Sequence, residues 1–393
     1  MKKLFYLIIF LVISCSKSDE YVDRWGVHHA GNPNIKWRFV FPDTLTYGGD
    51  IAPVIYKDKV FFTFGRIVYA LDKRSGNLLG KWVGNYGTAF SVKRLYVWKN
   101  LLILNGAART TEKIFAINMD TNQLAWELPF YVDYDEFAGV EDKLFFIRDS
   151  KLVVLNISSM KVEKSIPLSL QTGIFSFNSF PEFYLNSKKE SCFLTMFYEN
   201  NEKRLLNYNL TLDTVIYNQY LTEQKGNNTT NFCKIEGDNV VYSEGNGSVR
   251  SNNLTTGAYS WIHNINTIGN TTSGRPAFGE KSVFVSTSSN EYLVRLNLSE
   301  GKEIWKIKKE RNIFGFSSNE QFYYHRNMIY WSGGGSGYAF RADNGSPVWQ
   351  NWAAPRNLAI HHNFIFEDNN IFVGASNDNW KGGHSAICIE TPN

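Results

Sequence analysis

Histidines are the first residues in this chain whose type and spacing could do chemistry. Five of the seven histidines form two adjacent pairs and one later residue: His28-His29, His361-His362 and His384. Two or three converging imidazoles can hold a metal ion. Adjacent residues of a strand point to opposite faces of a sheet, so each pair supplies at most one ligand easily. A metal site and packed or exposed histidines are both open interpretations; packing is favoured, and no metal ligand is predicted.

The four cysteines predict no disulfide framework. Cys15 lies near the front, and the other three, Cys192, Cys233 and Cys388, are far apart and odd in number. Cys233 and Cys388 occur in apolar, strand-like runs and are expected to be small buried residues. Cys192 lies in an irregular segment, where a free thiol and a paired one are both open.

Patterns for nucleophilic or phosphate chemistry are missing from the sequence. No Gly-x-Ser-x-Gly pattern, which would present a serine nucleophile on a sharp turn, occurs in the chain. The Gly-rich run at 332–337 lacks the Lys and Ser or Thr of a phosphate-binding loop, so a hairpin turn is the plainer interpretation. The formal net charge is +4, which is near neutral for this length and indicates no nucleic-acid partner.

Internal repetition sets the elements that would position these residues. A polar residue recurs about every 45 residues, and in the clearest copies a Trp follows eight residues later. The clear copies begin at Asn118, Asn253, Asn297 and Arg341, and the weaker ones at Asp72, Asn156, Asn209 and Cys388. Short apolar runs joined by polar turns precede each copy and are typical of β-hairpins. The sequence therefore predicts an all-β, eight-bladed β-propeller with four-stranded antiparallel blades.

The last repeat ends at Asn393 without its Trp strand. A segment of matching pattern lies at the other end of the chain, over residues 35–41, and contains Trp37. We expect this N-terminal strand to join the last blade and close the ring, because closure hides open sheet edges. The predicted divisions are 1–14, 15–34 and 35–393, with the whole propeller in the last.

The repeat "A-x-D/N-x-x-T-G-x-x-x-W" resembles that of the PQQ-like (quinoprotein-type) propeller family, which includes quinoprotein alcohol dehydrogenases and BamB-like outer-membrane lipoproteins. Residues 116–126 and 295–305 are its best copies, and the resemblance covers about 35–393. It implies that one Trp of each blade docks onto the next blade and that a Gly makes the turn. The docking role would fall to Trp37, Trp126, Trp261, Trp305 and Trp349, and the turn role to Gly76, Gly257, Gly301 and Gly345.

The resemblance to quinoproteins implies PQQ held on the propeller axis, with a vicinal Cys pair, a calcium ion and a catalytic Asp. This chain has no adjacent cysteines. A PQQ enzyme is therefore disfavoured, and we predict no catalytic residue and no cofactor.

The front of the chain predicts a bacterial lipoprotein signal. A basic head, an apolar run of about ten residues and small residues precede Cys15, and this run is too short to span a membrane. Residues 12–15 resemble a lipobox, which implies that Cys15 becomes the first mature residue and carries lipid; an ordinary cleaved signal with an incidental Cys is the alternative. By resemblance to sorted lipoproteins, Ser16 points to the outer membrane, on its periplasmic or its external face. Residues 16–34 would form a tether.

Three functions follow from these expectations. The favoured one is a monomeric, non-enzymatic, lipid-anchored scaffold that binds other envelope proteins, as a BamB-like lipoprotein does in barrel assembly. The alternative is a propeller that binds a glycan, a peptide or a small molecule in its axial funnel, and a quinoprotein-like enzyme is less favoured. Trp380, in the loop at 375–383, is a candidate partner contact or a blade-edge cap.

Overall fold

A computed structural model of the protein describes residues 34–42, 53–64, 67–84, 91–107, 113–129, 137–148, 151–167, 182–199, 202–221, 233–243, 248–265, 272–287, 292–308, 322–333, 336–349, 358–360, 364–377 and 384–392. Over these residues every regular element is a β-strand.

The first half of the chain contains the strands β1 Ile35–Val40, β2 Pro53–Tyr56, β3 Lys59–Phe64, β4 Ile67–Asp72, β5 Leu78–Val83, β6 Ser91–Trp98, β7 Leu101–Ala107, β8 Lys113–Asn118, β9 Gln123–Leu128, β10 Phe137–Val140, β11 Lys143–Arg148, β12 Lys151–Asn156, β13 Lys161–Pro167, β14 Glu182–Leu185, β15 Ser191–Glu199, β16 Glu202–Asn209 and β17 Thr214–Tyr220. The second half contains β18 Cys233–Glu236, β19 Asn239–Ser243, β20 Ser248–Asn253, β21 Tyr259–Asn264, β22 Thr272–Gly279, β23 Ser282–Thr287, β24 Tyr292–Asn297, β25 Glu303–Lys308, β26 Phe322–His325, β27 Met328–Gly333, β28 Ser336–Arg341, β29 Pro347–Trp349, β30 Leu358–Ile360, β31 Ile365–Glu367, β32 Asn370–Asn377 and β33 Ser385–Glu390.

These strands form eight antiparallel sheets, which are the blades of a propeller. Seven blades each use four consecutive strands: β2–β5, β6–β9, β10–β13, β14–β17, β18–β21, β22–β25 and β26–β29, numbered here blades 1 to 7. Blade 8 has the order β1-β33-β32-β30, with β31 also paired to β32. The predicted eight-bladed, all-β fold is confirmed.

The core lies in the junctions between blades. The second and third strands of blade 1, β3 and β4, are short runs rich in β-branched and aromatic residues and are buried on both faces. Each face packs on a neighbouring blade: Phe61 and Ala70 of blade 1, for example, share one apolar cluster with Leu104 and Phe115 of blade 2. Two buried faces per sheet account for the abundance of aromatic residues in the sequence.

Consecutive blades touch all the way round. The first strands β6, β10, β14, β18, β22 and β26 contact one another in turn, β28 contacts β30, β31 contacts β2, and β3 contacts β6. The first strands therefore lie nearest the centre, and the fourth strands lie on the outside.

The chain closes this ring with β1. It pairs antiparallel with β33, from Ile35 opposite Ile389 to Val40 opposite Ser385. The backbone N–H of Phe41 also donates to the His384 carbonyl at 2.9 Å. The N-terminal strand thus completes the last blade, as the sequence predicts.

One landmark of the repeat needs correction. In blade 1 the residue after Asp72 donates its N–H to the turn between the first two strands, and the equivalent donor in blade 8 is Thr391, which bonds the Asn369 carbonyl at 2.8 Å. The eighth landmark is therefore Glu390 and not Cys388. The eight-residue spacing to a Trp cannot locate it, because that Trp is at the opposite end of the chain.

Candidate functional site

In blades 1 to 6, the landmark residue caps the turn between the third and fourth strands. Asp72 accepts the N–H of Ser75 at 2.7 Å, and Asn297 accepts the N–H of Ser299 at 2.9 Å. Short Asp and Asn side chains commonly bond their own backbone two or three residues later, and this bond selects the turn. The bond from Ser75 holds the pKa of the Asp72 carboxyl below its ordinary value. Asn118, Asn156, Asn209 and Asn253 cap their turns in the same way.

The fourth residue after the landmark adopts a left-handed backbone. At Gly76, φ is +72° and an added Cβ would lie 2.6 Å from the Trp37 ring. Glycine is required here for two reasons: a side chain would strain the left-handed backbone, and it would also displace the Trp37 indole. The same left-handed conformation occurs at Gly257, Gly301 and Gly345.

Three of the repeat tryptophans bind the next blade through the indole N–H. In each case Nε1 donates to the carbonyl of the residue that follows the next landmark: Trp37 to Lys73 at 3.1 Å, Trp261 to Leu298 at 2.8 Å and Trp305 to Ala342 at 3.0 Å. The ring covers the turn glycine while the N–H satisfies a backbone acceptor. Each tryptophan therefore fixes both the distance and the rotation between two blades.

The other two repeat tryptophans pack without a described indole hydrogen bond. Trp126 is partly buried against the cluster of blades 2 and 3 that includes Leu155 and Ile157. Trp349 is buried in the junction of blades 7 and 8, with its ring centroid 5.8 Å from that of Tyr330.

Three docking residues were missed by the sequence reasoning, because they are not tryptophans. They donate to the same carbonyl position of the next blade: Lys59 to Met119 at 2.9 Å, Lys164 to Leu210 at 2.8 Å and Asn207 to Leu254 at 2.9 Å. Lys164 stands eight residues after its landmark, where the tryptophan stands elsewhere. Tyr217 holds that position in blade 4, and its ring lies on Gly257. Counting eight residues from each landmark would have found these two.

The junction of blades 1 and 2 reverses the usual pair. Gly80 occupies the tryptophan position, and Asn122, with φ of +56°, occupies the turn position. An added Cβ at Gly80 would lie 2.5 Å from the Asn122 side chain. Trp82, two residues further on, supplies the aromatic contact instead, with its ring centroid 4.9 Å from that of Phe115.

Polar contacts at the closure repeat the geometry of the other turns. The N–H of Glu390 donates to the Asn34 carbonyl at 2.9 Å, just as that of Asp72 donates to Asn77. Asn34 also donates through its side chain to Glu390 at 2.7 Å, and the Lys36 ammonium lies 3.5 Å from the same carboxylate. The bond from Asn34, and then the charge of Lys36, lower the pKa of Glu390.

The first strands carry half-buried aromatic side chains that pack against the apolar clusters between neighbouring blades. Tyr56, Trp98, Tyr184 and Tyr324 each keep part of their surface exposed. The Tyr184 hydroxyl donates to the Asn207 side chain at 3.0 Å. Rings with one apolar and one polar end suit both blade packing and ligand contact.

The three cysteines within the described residues and His384 are packing residues and form no cluster that could bind a metal or act as a catalytic group. Cys192, Cys233 and Cys388 are buried and form no disulfide among the described residues. Burial raises the pKa of the Cys388 thiol to about 12 and raises that of Cys192 as well, so both stay protonated near neutral pH. The His384 ring lies 4.2 Å from the Phe64 ring, and burial lowers its pKa.

Several predicted residues lie outside the described residues: Cys15, His28, His29, His361, His362 and Trp380. Within the described ranges, no three His, Cys, Asp or Glu side chains converge as metal ligands would. Over the same part of the chain, no helix has the length and apolar character needed to cross a membrane.

Exposed apolar side chains are the remaining surface feature. Nearly all the large ones among the described residues stand on the outermost strands of the blades, such as Leu78 and Leu79 on β5 and Tyr259 on β21. The fold and these contacts define the protein as a closed eight-bladed propeller that presents turns and outer strands to solvent.

Part of the chain matches a known family model. Residues 228–379 match the family model described as outer membrane protein assembly factor BamB. This segment contains blades 5 to 7 and part of blade 8. No curated protein matches the sequence.

Solved structures share the fold over most of the chain. BamB from Moraxella catarrhalis is 12% identical with a TM-score of 0.64, over 91% of this chain and 99% of that one. Sqt1 from Saccharomyces cerevisiae is 13% identical with a TM-score of 0.67, over 92% and 100%. The quinohemoprotein alcohol dehydrogenase ADHIIG from Pseudomonas putida HK5 is 11% identical with a TM-score of 0.60, over 92% and 76%.

Identities this low show the fold alone. Together with the family match over residues 228–379, they support the predicted resemblance to PQQ-like, BamB-like propeller repeats. At a coarse level, such a fold supports a scaffold for protein interaction.

Proposed function

We propose that this protein is a non-enzymatic, lipid-anchored propeller scaffold that binds other envelope proteins at the outer membrane, in a BamB-like role in barrel-protein assembly. The observation that carries the proposal is the match of residues 228–379 to the model described as outer membrane protein assembly factor BamB. The lipobox-like sequence before Cys15 supports the anchor. The exposed turns and outer strands offer the surfaces that a scaffold needs.

Membrane anchoring is tested by fractionation. A single acyl chain binds a membrane only marginally, and stable anchoring needs more than one. A Cys15 that carries several acyl chains would therefore hold the protein firmly on the membrane. Cys15→Ala should abolish acyl labelling and move the protein out of the membrane fraction, with Cys192→Ala as the matched cysteine control. Unchanged acylation and fractionation of Cys15→Ala would reject the anchor.

Partner binding is tested by capture of the full chain after cross-linking in intact membranes. The expected result is enrichment of barrel-assembly subunits with the acylated protein and a strong reduction with Cys15→Ala. A chain that is acylated and membrane-bound, yet enriches no barrel-assembly subunit above the level of an unrelated lipoprotein, would contradict the BamB-like role.

We also propose that this protein has no catalytic activity. This proposal rests on the sequence, which has no adjacent cysteines of the kind that quinoprotein dehydrogenases use. Purified protein supplied with PQQ and calcium should reduce no electron-accepting dye in the presence of alcohols or sugars. Turnover above that of the heat-denatured protein would show that the chain is an enzyme.

A second candidate function is ligand binding on the axis. The half-buried aromatic side chains of the first strands, such as Trp98 and Tyr184, favour it because rings of this kind stack on sugars and peptides. Native mass spectrometry of the purified chain would then show a retained glycan or peptide. Trp98→Ala should release it, whereas Trp82→Ala, on the outer strand β5, should not.

A further inference from the structure

The outermost strand of every blade contains a β-bulge at the same place. In blade 1, Leu71 pairs with Leu78 and Ala70 pairs with Gly80, which leaves Leu79 as the extra residue. A bulge re-aims the side chains around it, so the residue before it and the extra residue both turn toward solvent. The eight pairs at this position are Leu78-Leu79, Leu124-Ala125, Val162-Glu163, Val215-Ile216, Tyr259-Ser260, Glu303-Ile304, Pro347-Val348 and Ile35-Lys36.

Blade 1 differs from the other seven at this bulge. Leu78 is 45% exposed and Leu79 is 47% exposed, so two large apolar side chains stand side by side in water. In each of the other pairs, one member is small, polar or charged, proline, or partly buried. Val83, further along β5, adds a third exposed apolar side chain. Scattered single apolar residues need no explanation, but an adjacent pair of leucines is a candidate contact.

Cationic side chains surround the two leucines. Arg74 precedes them in the turn, Lys81 follows them on β5, and both are exposed. On the neighbouring outer strand of blade 8, Lys36 and Arg38 are also exposed. Apolar side chains among Lys and Arg are the combination that associates with an anionic lipid surface.

The outer strands of blades 4 and 5 do not repeat this combination of apolar and cationic side chains. Val215 and Tyr259 are each 55% exposed there, so their apolar surface is at least as accessible as that of the leucines. The described residues of blade 4 contain four Lys and Arg against five Asp and Glu, whereas those of blade 1 contain five against two. Exposed apolar area alone therefore does not single out blade 1. Blade 6 has the same net charge of +3, with six Lys and Arg against three Asp and Glu among its described residues, but its bulge places Glu303 beside Ile304. Among the described residues, only blade 1 combines this cationic excess with two adjacent exposed leucines.

The leucines also lie beside the point where the chain enters the ring. Trp37 of β1 contacts the turn just before them, since its ring lies on Gly76 and its indole N–H bonds the Lys73 carbonyl at 3.1 Å. The segment from Cys15 to Asn34 leads directly into β1. As a coil of this length it would span roughly 25 Å, and fully extended about 65 Å. An anchor at Cys15 would therefore keep this side of the ring within reach of the bilayer.

We propose that Leu78, Leu79, Arg74 and Lys81, here called the blade 1 patch, form a second membrane contact that binds an anionic phospholipid surface. The contact orients the propeller so that its other blades face away from the bilayer. This inference rests on the proposed lipid anchor for its biological setting, since the anchor supplies the proximity. One lipid-linked attachment point alone leaves the ring free to rotate, and a surface contact removes that freedom.

The test uses the propeller without its anchor. Residues 34–393 contain all eight blades and the closing strand, so the ring is complete without the preceding segment. Co-sedimentation at millimolar lipid should show binding to phosphatidylglycerol vesicles and much weaker binding to phosphatidylcholine vesicles. Leu78→Ser/Leu79→Ser should lower the partition coefficient about tenfold. Arg74→Gln/Lys81→Gln should lower it by a similar factor and remove the preference for phosphatidylglycerol.

A matched control is Val215→Ser/Tyr259→Ser, which removes two more exposed apolar side chains from other blades. It should leave binding within about twofold of the parent, because these side chains lack the cationic surroundings. The proposal is overturned if the parent propeller binds neither kind of vesicle, or if Val215→Ser/Tyr259→Ser loses as much binding as Leu78→Ser/Leu79→Ser. It is also overturned if the leucine variant binds vesicles normally but loses a partner protein, which would make the patch a protein interface.

This outcome is separable from that of the anchor. Failure of Cys15 acylation appears in fractionation of the full chain and leaves vesicle binding by residues 34–393 unchanged. Failure of the blade 1 patch appears in the vesicle assay while the acylated full chain stays in the membrane fraction.

Discussion

Replacing Trp37 with alanine should cost about 3–5 kcal/mol of unfolding free energy, although the residue stands near the N-terminal end of the described chain. Its ring is 8% exposed and lies on the turn of blade 1. Truncation of a buried tryptophan typically costs this much, because it leaves a cavity and loses apolar burial. It also leaves the Lys73 carbonyl without the indole donor that now lies 3.1 Å away.

Two further variants separate the contributions. Trp37→Phe keeps much of the ring but removes the N–H, and it should cost about 1–2 kcal/mol. Trp261→Ala removes an equivalent indole, 5% exposed, from a junction that lies within a continuous stretch of chain. Urea unfolding followed by tryptophan fluorescence and by circular dichroism should give costs for Trp37→Ala and Trp261→Ala that agree within about 1 kcal/mol. A cost below about 1 kcal/mol for Trp37→Ala, beside a full cost for Trp261→Ala, would refute the reasoning that β1 is an integral strand.

Three other perturbations follow from the turns and the closure. Gly76→Ala should lower the free energy of unfolding by about 3 kcal/mol in thermal unfolding, because left-handed backbone strain of about 1–2 kcal/mol adds to a clash with the Trp37 indole. The control is Gly237→Ala, which has nothing within 4 Å of the new Cβ and should cost only the strain. A hydrogen bond from an asparagine side chain, and then a lysine charge, hold the pKa of Glu390 below its ordinary 4.5. The closure is therefore most stable above that pH and weakens as the pH falls through the folded-state pKa, and Glu390→Gln should flatten this dependence in acid titrations; an unchanged profile would show that the contact is not formed. Lys164→Met should cost about 1 kcal/mol in urea unfolding and exposed Lys161→Met close to nothing, and equal effects would exclude the docking role of the ammonium.

The ring and its closure could be predicted because they depend on local spacing. In copies such as Asn297 with Gly301, a capping Asp or Asn and a left-handed glycine four residues later form the turn, so these copies are visible in the sequence. The closing strand was predictable for the same reason. Trp37 holds the position eight residues after Glu390 when the turn is counted across the two chain ends, as the bond from Glu390 N–H to Asn34 shows.

The junctions that differ could not be predicted in the same way. The acceptor is the same backbone carbonyl in each case, but any donor of suitable reach can satisfy it. Lys59 and Asn207 therefore replace an indole from positions that a count of eight residues from the landmark does not reach. The exchange of Gly80 with Asn122 is visible only when the two blades are seen in contact.

The candidate surface was harder still to predict from the sequence. Leu78 and Leu79 look like two core residues of a strand, because adjacent residues normally face opposite sides. Only the bulge that leaves Leu79 unpaired shows that both are exposed. The bulge follows from strand pairing, which a pattern of residue types does not contain.

Native-state hydrogen exchange of β1 tests the central claim most directly, which is that the N-terminal strand closes an eight-bladed ring. Backbone amides of β1 that bond β33 should exchange as slowly as the amides of β33 that bond β32. Both sets should exchange about 1,000 times or more slowly than the amides of an unstructured peptide. Exchange of the β1 amides at the rate of an unstructured peptide, while β33 stays protected, would contradict the closed ring.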